Sequence, residues 1–189
     1  VSAHDGHVVA YEALMRPQLP TLRSPLTVMQ LASEMGRLYD IEKLTFFRAC
    51  ECYEELEAAG KLDADALIFV NSIASVSLSN EDWASYCEAH SAILPKLVVE
   101  ITEEEEMNER ELERKRNVPG SSGVFALDDY GSGYSNGNSL LTIAPKYVKV
   151  DIAIIRGIDT DADKQQFLMT LIDYAHPRGV QVLAEGVET

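Results

Sequence analysis

Six short apolar runs recur along this chain, and each closes on a polar or charged residue. They run from His7 to Glu12, Ala66 to Asn71, Lys96 to Glu100, Val124 to Asp128, Tyr147 to Asp151 and Val180 to Glu185. Apolar runs of this length are expected of strands buried on both faces, as in parallel sheets. The stretches between them carry apolar residues at helical spacing, and regular alternation of strand and helix predicts a parallel sheet covered by helices. An open doubly wound sheet gathers its ligands at one crevice, whereas here every strand ends in a group able to do chemistry. That pattern fits a closed barrel whose strand ends ring one site. The predicted fold class is therefore α/β, a TIM-like (β/α)8 barrel. Such barrels need eight strands and about 250 residues. With 189 residues the chain reads as one domain, 1–189, short of strand and helix units at both ends.

The helical stretches carry their own punctuation. Ser24 and Pro25 read as the N-cap and first-turn proline of a helix reaching Gly36. A second helix, about Ile41 to Ala59, is expected to bury Ile41, Leu44, Phe47 and Cys50 and to stop at Gly60. Asn80 is expected to cap a short helix through Trp83 and Tyr86. From Thr102 to Arg116 acids precede bases, in step with the helix macrodipole, which predicts an exposed helix and leaves Glu104, Glu105 and Glu106 to solvent. A last helix is expected from about Asp161 to Ala175.

Charge narrows the function classes. A net charge of -15 repels a DNA or RNA polymer and an anionic membrane surface, so an anionic ligand would need intervening cations. Cys50, Cys52 and Cys87 are odd in number and lie in apolar helical patterns, which reads as reduced core thiols of a cytoplasmic protein. No apolar run is long enough to span a bilayer, and Val1 falls in mid-pattern with no signal peptide before it.

The stretch from Val124 to Ser135 runs from a buried strand into two adjacent carboxylates, Asp128 and Asp129, and a glycine-rich loop. An isolated Asp-Asp pair most often caps a turn. Successive strand residues also point to opposite faces, so the two acids share one face only if the backbone bends there. The other strand ends change the reading. If the ring closes, Glu12, Glu100, Asp128, Asp129, Asp151 and Glu185 converge with Asn71, and that much like charge requires cations. All of these donors are hard oxygens and none is His or Cys, which favours Mg²⁺ or Mn²⁺ over Zn²⁺. The adjacent pair suits two ions about 3.5–4 Å apart, as in two-metal hydrolysis of phosphate esters. Lys149 is the lone cation among the strand ends, able to orient or help deprotonate a water and to stabilise charge on a phosphorane.

Glu12-Ala-Leu-Met-Arg16, Val70-Asn71, Glu100-Ile-Thr-Glu103, Asp128-Asp-Tyr-Gly-Ser-Gly-Tyr-Ser135, Lys149-Val-Asp151 and Glu185-Gly-Val-Glu188 resemble, in order, the motifs of the EAL domains of bacterial cyclic di-GMP phosphodiesterases. The resemblance implies a modified TIM barrel that hydrolyses cyclic di-GMP to linear pGpG with two Mg²⁺ or Mn²⁺ ions. It further implies a homodimer, and a GGDEF or sensory domain elsewhere in the full-length protein, which could be membrane-anchored. It assigns Glu12, Asn71, Glu100 and Asp128 to a first ion and Asp128 with Asp129 to a second. Asp151 would lie beside the second ion and Lys149 on the catalytic water. Glu185 would be an essential acid near that water, as base or as metal support. Arg16 would meet a substrate phosphate, Glu103 would pin the loop after Asp129, and Glu188 would assist from behind. Tyr130 and Ser132 stand where the family usually has Phe and Thr, and the family's two flanking glutamines have no counterpart in these 189 residues.

Two rivals come from other classes. An EAL-like domain can serve as a silent cyclic di-GMP receptor or protein-docking module, although every metal-type ligand is retained here. A metal-dependent aldolase or enolase-like barrel would use Lys149 as base or Schiff-base donor; Asn71 with the Asp128–Asp129 pair favours phosphoester chemistry.

Overall fold

A computed structural model of the chain describes residues 1–63, 65–103, 109–117, 122–132 and 138–187. Within them, β1 (Ala10–Ala13) leads to α1 (Pro25–Glu34) and α2 (Leu38–Ala58). Next come β2 (Leu67–Asn71), α3 (Asn80–Ala89), β3 (Leu97–Thr102), α4 (Glu109–Arg116) and β4 (Val124–Tyr130). The last elements are α5 (Asn138–Ile143), β5 (Tyr147–Val150), α6 (Ile152–Ile155), α7 (Ala162–Ala175) and β6 (Gln181–Ala184). The six strands pair in parallel in sequence order, β1 to β6. The sheet is a curled, incomplete barrel rather than a closed ring of eight. Its curl has a direct measure: Lys149 Nζ on β5 lies 3.3 Å from Glu12 Oε1 on β1. In a flat sheet, four strand spacings would hold those strands about 19 Å apart.

Strand alternation divides the core into two apolar bodies. Ile68, Val70, Leu97, Val99, Ile101, Phe125, Leu127, Val148 and Val150 pack outward with Phe46, Cys50, Tyr53, Tyr86 and Leu171 of the helices. The residues between them, Phe69, Val98, Ala126 and Tyr147, pack inward as a plug, flanked by Ala10 and Leu183.

Several helices depart from their predicted phase. α2 buries Glu42, Phe46, Ala49, Cys50 and Tyr53, whereas Leu44 is 57% exposed. The stripe is rotated because a buried acid, not an apolar residue, leads it. α3 is capped by Ser79 rather than Asn80; the Ser79 hydroxyl accepts from the Asp82 N–H. Cys52 is exposed, so only Cys50 is a fully buried thiol. The charged stretch forms α4 at its C-terminal part, but Lys115 is buried at 5% exposure, an exception to the expectation of a mostly exposed helix. Glu104, Glu105 and Glu106 lie outside the described residues. No helix among the described residues is long and apolar enough to cross a membrane.

After β6 the chain turns at Gly186, with φ +60° and Ile152 of α6 against it; a Cβ there would collide with the Ile152 side chain. Gly186→Ala should therefore lower stability by about 1–3 kcal/mol in chemical denaturation. Adding Ile152→Ala should cost less than the sum of the two single effects, because the collision is shared.

Candidate metal centre

The interior above the plug is one step further along every strand. Two positions beyond Ala10, Phe69, Val98, Ala126, Tyr147 and Leu183 stand Glu12, Asn71, Glu100, Asp128, Lys149 and Glu185. A strand returns to the same face every second residue, so the apolar tier and the charged tier are one pattern read at two heights. Asn71 and Glu100 share the last paired rung of β2 and β3.

Lys149 lies at the centre of this tier. Its Nζ is 2.7 Å from Glu100 Oε1, 2.9 Å from Asp128 Oδ1, 2.9 Å from Glu185 Oε1 and 3.3 Å from Glu12 Oε1. One ammonium cannot balance that many carboxylates. Burial pushes the Glu100 carboxyl up to about 8; Lys149 opposes the shift, while Asp128 and Glu12 add to it. Burial by itself would lower Lys149, but Glu100 and Asp128 outweigh it and hold its ammonium charged well above the usual lysine range. Burial also raises Glu185, against the hydrogen bond and charge of Lys149.

Glu100 is 1% exposed; Lys149 Nζ lies 2.7 Å from its Oε1, and its Oε2 accepts no hydrogen bond among the described residues. A buried carboxylate oxygen without a donor is expensive unless a cation satisfies it. The donors around it fit that need. Oxygens of Glu12, Glu100 and Asp128 lie within 4.8 Å of one another, and so do oxygens of Asp128, Asp129 and Glu185. Both groups are all-oxygen, which suits a hard divalent cation.

Asp128 belongs to both groups because the backbone bends immediately after it. The β4–β5 register shifts between Leu127 and Tyr130, and Asp129 takes φ 55°, a left-handed conformation that is costly for a residue with a side chain. The Asp129 N–H donates to Asp128 Oδ1 at 3.0 Å. Without this bend, strand alternation would send the two acids to opposite faces.

Glu103, at the end of β3, is 8% exposed. Its Oε2 accepts from the Gly131 N–H at 3.1 Å and its Oε1 from Ser139 Oγ at 3.3 Å, while its own N–H donates to the Asp128 carbonyl. Gly131 has φ +93°, and a Cβ there would sit 3.0 Å from the Ile154 side chain, so any larger residue would disturb this turn.

β5 ends at Val150, and Asp151 Oδ1 caps α6 by accepting from the Ala153 N–H at 2.6 Å. Among the described residues it belongs to neither carboxylate group. Arg16 is exposed beyond β1, with Nη1 donating to the Met15 carbonyl at 2.9 Å. Glu188 and the loop residues Gly133, Tyr134 and Ser135 lie outside the described residues.

Sequence reasoning passed over Glu42, Ser72 and Lys115, which form a buried polar cluster behind Asn71. A signal was present. Glu42 leads the stripe Phe46, Ala49, Cys50 and Tyr53 at helical spacing, and Lys115 stands three residues from buried Leu112.

The model of the EAL domain family matches residues 1–189. Over 196 residues the chain is 26% identical to the probable cyclic di-GMP phosphodiesterase PdeG of Escherichia coli, covering 100% of this chain and 38% of PdeG. It is about a third of the length of the curated relatives it matches. In fold it is similar to the phosphodiesterase PaMucR in complex with c-di-GMP, with a TM-score of 0.78 and 24% identity over 97% of this chain and 76% of that one. The manganese and cy-diGMP complex of BlrP1 from Klebsiella pneumoniae is equally similar, with a TM-score of 0.78 and 24% identity over 97% of this chain and 46% of that one. With the family model matching from the first residue to the last, the chain belongs to the EAL domain family.

Proposed function

We propose that this domain hydrolyses cyclic di-GMP to linear pGpG with two Mg²⁺ or Mn²⁺ ions. The observation that carries the reading is the pair of carboxylate groups that meet at Asp128, with the Lys149 ammonium between them. The name of PdeG and the ligands of the PaMucR and BlrP1 structures point to the same substrate class, and BlrP1 to manganese.

On this reading Glu12, Asn71, Glu100 and Asp128 hold one ion. Asp128, Asp129 and Glu185 serve the second, with Asp151 beside it. When bound, the ions supply Lewis-acid stabilisation of phosphate oxygens and a water acidic enough to attack near neutral pH. Lys149 acts as a fixed positive charge: its raised pKa suits it to donate to water and to an oxygen of the phosphorane, not to remove a proton. Arg16 meets a phosphate. Glu103 holds the turn after Asp129 through Gly131, which keeps the shared carboxylate in place. In the overall reaction water oxygen bonds to phosphorus, the P–O3′ bond breaks, and the 3′-oxygen leaves with a proton. The remainder of a longer protein would supply a sensory or GGDEF domain, and two such domains would pair. The free thiols suit a reducing, cytoplasmic compartment.

The test is chromatography of cyclic di-GMP incubated with the full-length protein. Mg²⁺ or Mn²⁺ should support conversion to pGpG, and Ca²⁺, with its longer bonds and looser geometry, should inhibit. Binding without turnover would make the domain a receptor instead. Glu12→Ala should lower kcat on the order of 10³-fold, about 4 kcal/mol of barrier, and full retained activity would remove Glu12 from the site. Lys149→Met should lower kcat about 10²–10³-fold, with little change in KM.

Proton release gives an independent check. Glu100, raised to about 8, is mostly protonated in the metal-free protein at pH 7 and must lose that proton to bind a cation. Mn²⁺ binding at pH 7 should therefore release about one proton, and affinity should rise with pH until about pH 8 and then level. Calorimetry in buffers of different ionisation enthalpy measures this, and Glu100→Gln should abolish the release.

A further inference from the structure

Behind the site, on the helix side of the sheet, lies a charged pair that the proposed chemistry does not use. Glu42 of α2 is 2% exposed and Lys115 of α4 is 5% exposed; Lys115 Nζ lies 2.9 Å from Glu42 Oε1. Ser72 joins them, donating to Glu42 Oε1 at 2.6 Å and accepting from Lys115 Nζ at 2.6 Å. The other carboxylate oxygen, Oε2, accepts from the Ile73 N–H at 2.8 Å. Among the described residues, the Glu42 carboxylate therefore binds only α4 and the two residues that follow Asn71.

A buried ion pair is poor evidence of stabilisation, because apolar residues of similar volume often hold a core as well or better. What such a pair can supply is a fixed position for what it binds. Asn71 is the last residue of β2, paired with Glu100 on β3, and the Ser72 N–H donates to the Glu100 carbonyl at 3.0 Å. Beyond Asn71 the parallel ladder ends, and a chain leaving a sheet is free to fray within a residue or two. Here it is clamped at once. Alternation turns the Asn71 side chain inward toward Glu100 and the Ser72 side chain outward to Glu42 and Lys115.

We propose that the Glu42–Lys115 pair, acting through Ser72, is a positioning device for the Asn71–Glu100 rung and so sets the affinity of the first metal site. Neither residue touches an ion or substrate; both act through backbone. The inference rests on the metal-binding reading above, though not on the identity of the nucleotide.

The test uses Glu42→Gln, Lys115→Met and Ser72→Ala in the full-length protein. Folding is followed by circular dichroism, Mn²⁺ affinity without nucleotide by electron paramagnetic resonance of free Mn²⁺, and kcat and KM on cyclic di-GMP separately. Folded Glu42→Gln and Lys115→Met are expected to bind Mn²⁺ at least tenfold more weakly and to lose kcat at fixed Mn²⁺, with KM within twofold and excess Mn²⁺ restoring part of kcat. Ser72→Ala, which leaves the ion pair in place and deletes one hydroxyl, should weaken Mn²⁺ several-fold, and it decides the question if the other two fail to fold. Folded variants with wild-type Mn²⁺ affinity, whatever their melting temperatures, overturn the proposal. A wild-type protein that binds no Mn²⁺ overturns it as well. Because affinity is read without nucleotide, weakened binding upholds it even if the wild type leaves cyclic di-GMP intact.

Discussion

The contact on which this structure depends is the one between Lys149 and the carboxylates around it. It joins strands that are far apart in the sheet order, from Glu12 on β1 to Glu185 after β6, and it exists only because the sheet curls. The curl follows from the right-handed twist of strands and from helices packed on the outer face. Once rolled, the sheet must put something inside. The lower tier is filled by Phe69, Val98, Ala126 and Tyr147, and the upper tier by groups that water and cations must satisfy. Apolar packing beneath the charged tier gives the carboxylates a rigid floor and keeps the dielectric low, which is why Glu100 is so strongly shifted.

The site is built against local preference in two places. Asp129 adopts a left-handed backbone that aims its carboxylate into the same space as Asp128. Glu100 is buried, and its Oε2 accepts no hydrogen bond among the described residues. Each is unfavourable in the protein alone, and each becomes reasonable if the excess negative charge is matched by divalent cations. Glu103 and the Glu42–Lys115 pair are the supports, one holding the turn at Gly131 and the other the chain leaving Asn71. Strain at a site persists when the surroundings over-determine it.

Much of this was legible beforehand because strand alternation is rigid. A polar residue closing an apolar run identifies itself, and Glu12, Asn71, Glu100, Asp128 and Glu185 were found that way, with Lys149 two residues before the Asp151 that closes its run. The helices were less legible. A stripe that includes a buried glutamate, as in α2, is shifted when only apolar residues are counted, so Leu44 was placed inside and Glu42 ignored. The charge order of the stretch before Asn117 matched a solvated helix, yet burial of Lys115 depends on Glu42, 73 positions earlier in the chain. Asp151 follows Lys149 at strand spacing, but β5 ends at Val150 and Asp151 Oδ1 caps α6, a contact the spacing does not show.

By itself the sequence determined the parallel α/β character, the inward register of the strands and the hard-oxygen chemistry of their ends, because each is a local property repeated at period two. It also carried the family, whose motifs stand in order along the whole chain. Only the tertiary structure decided which acids meet. That Asp128 belongs to two groups, that Lys149 reaches back to β1, and that Glu42 and Lys115 neutralise each other behind Asn71 are facts of distance between segments remote in sequence. Such distances are set by the curl of the sheet and the docking of helices on it, which no short window of residues encodes.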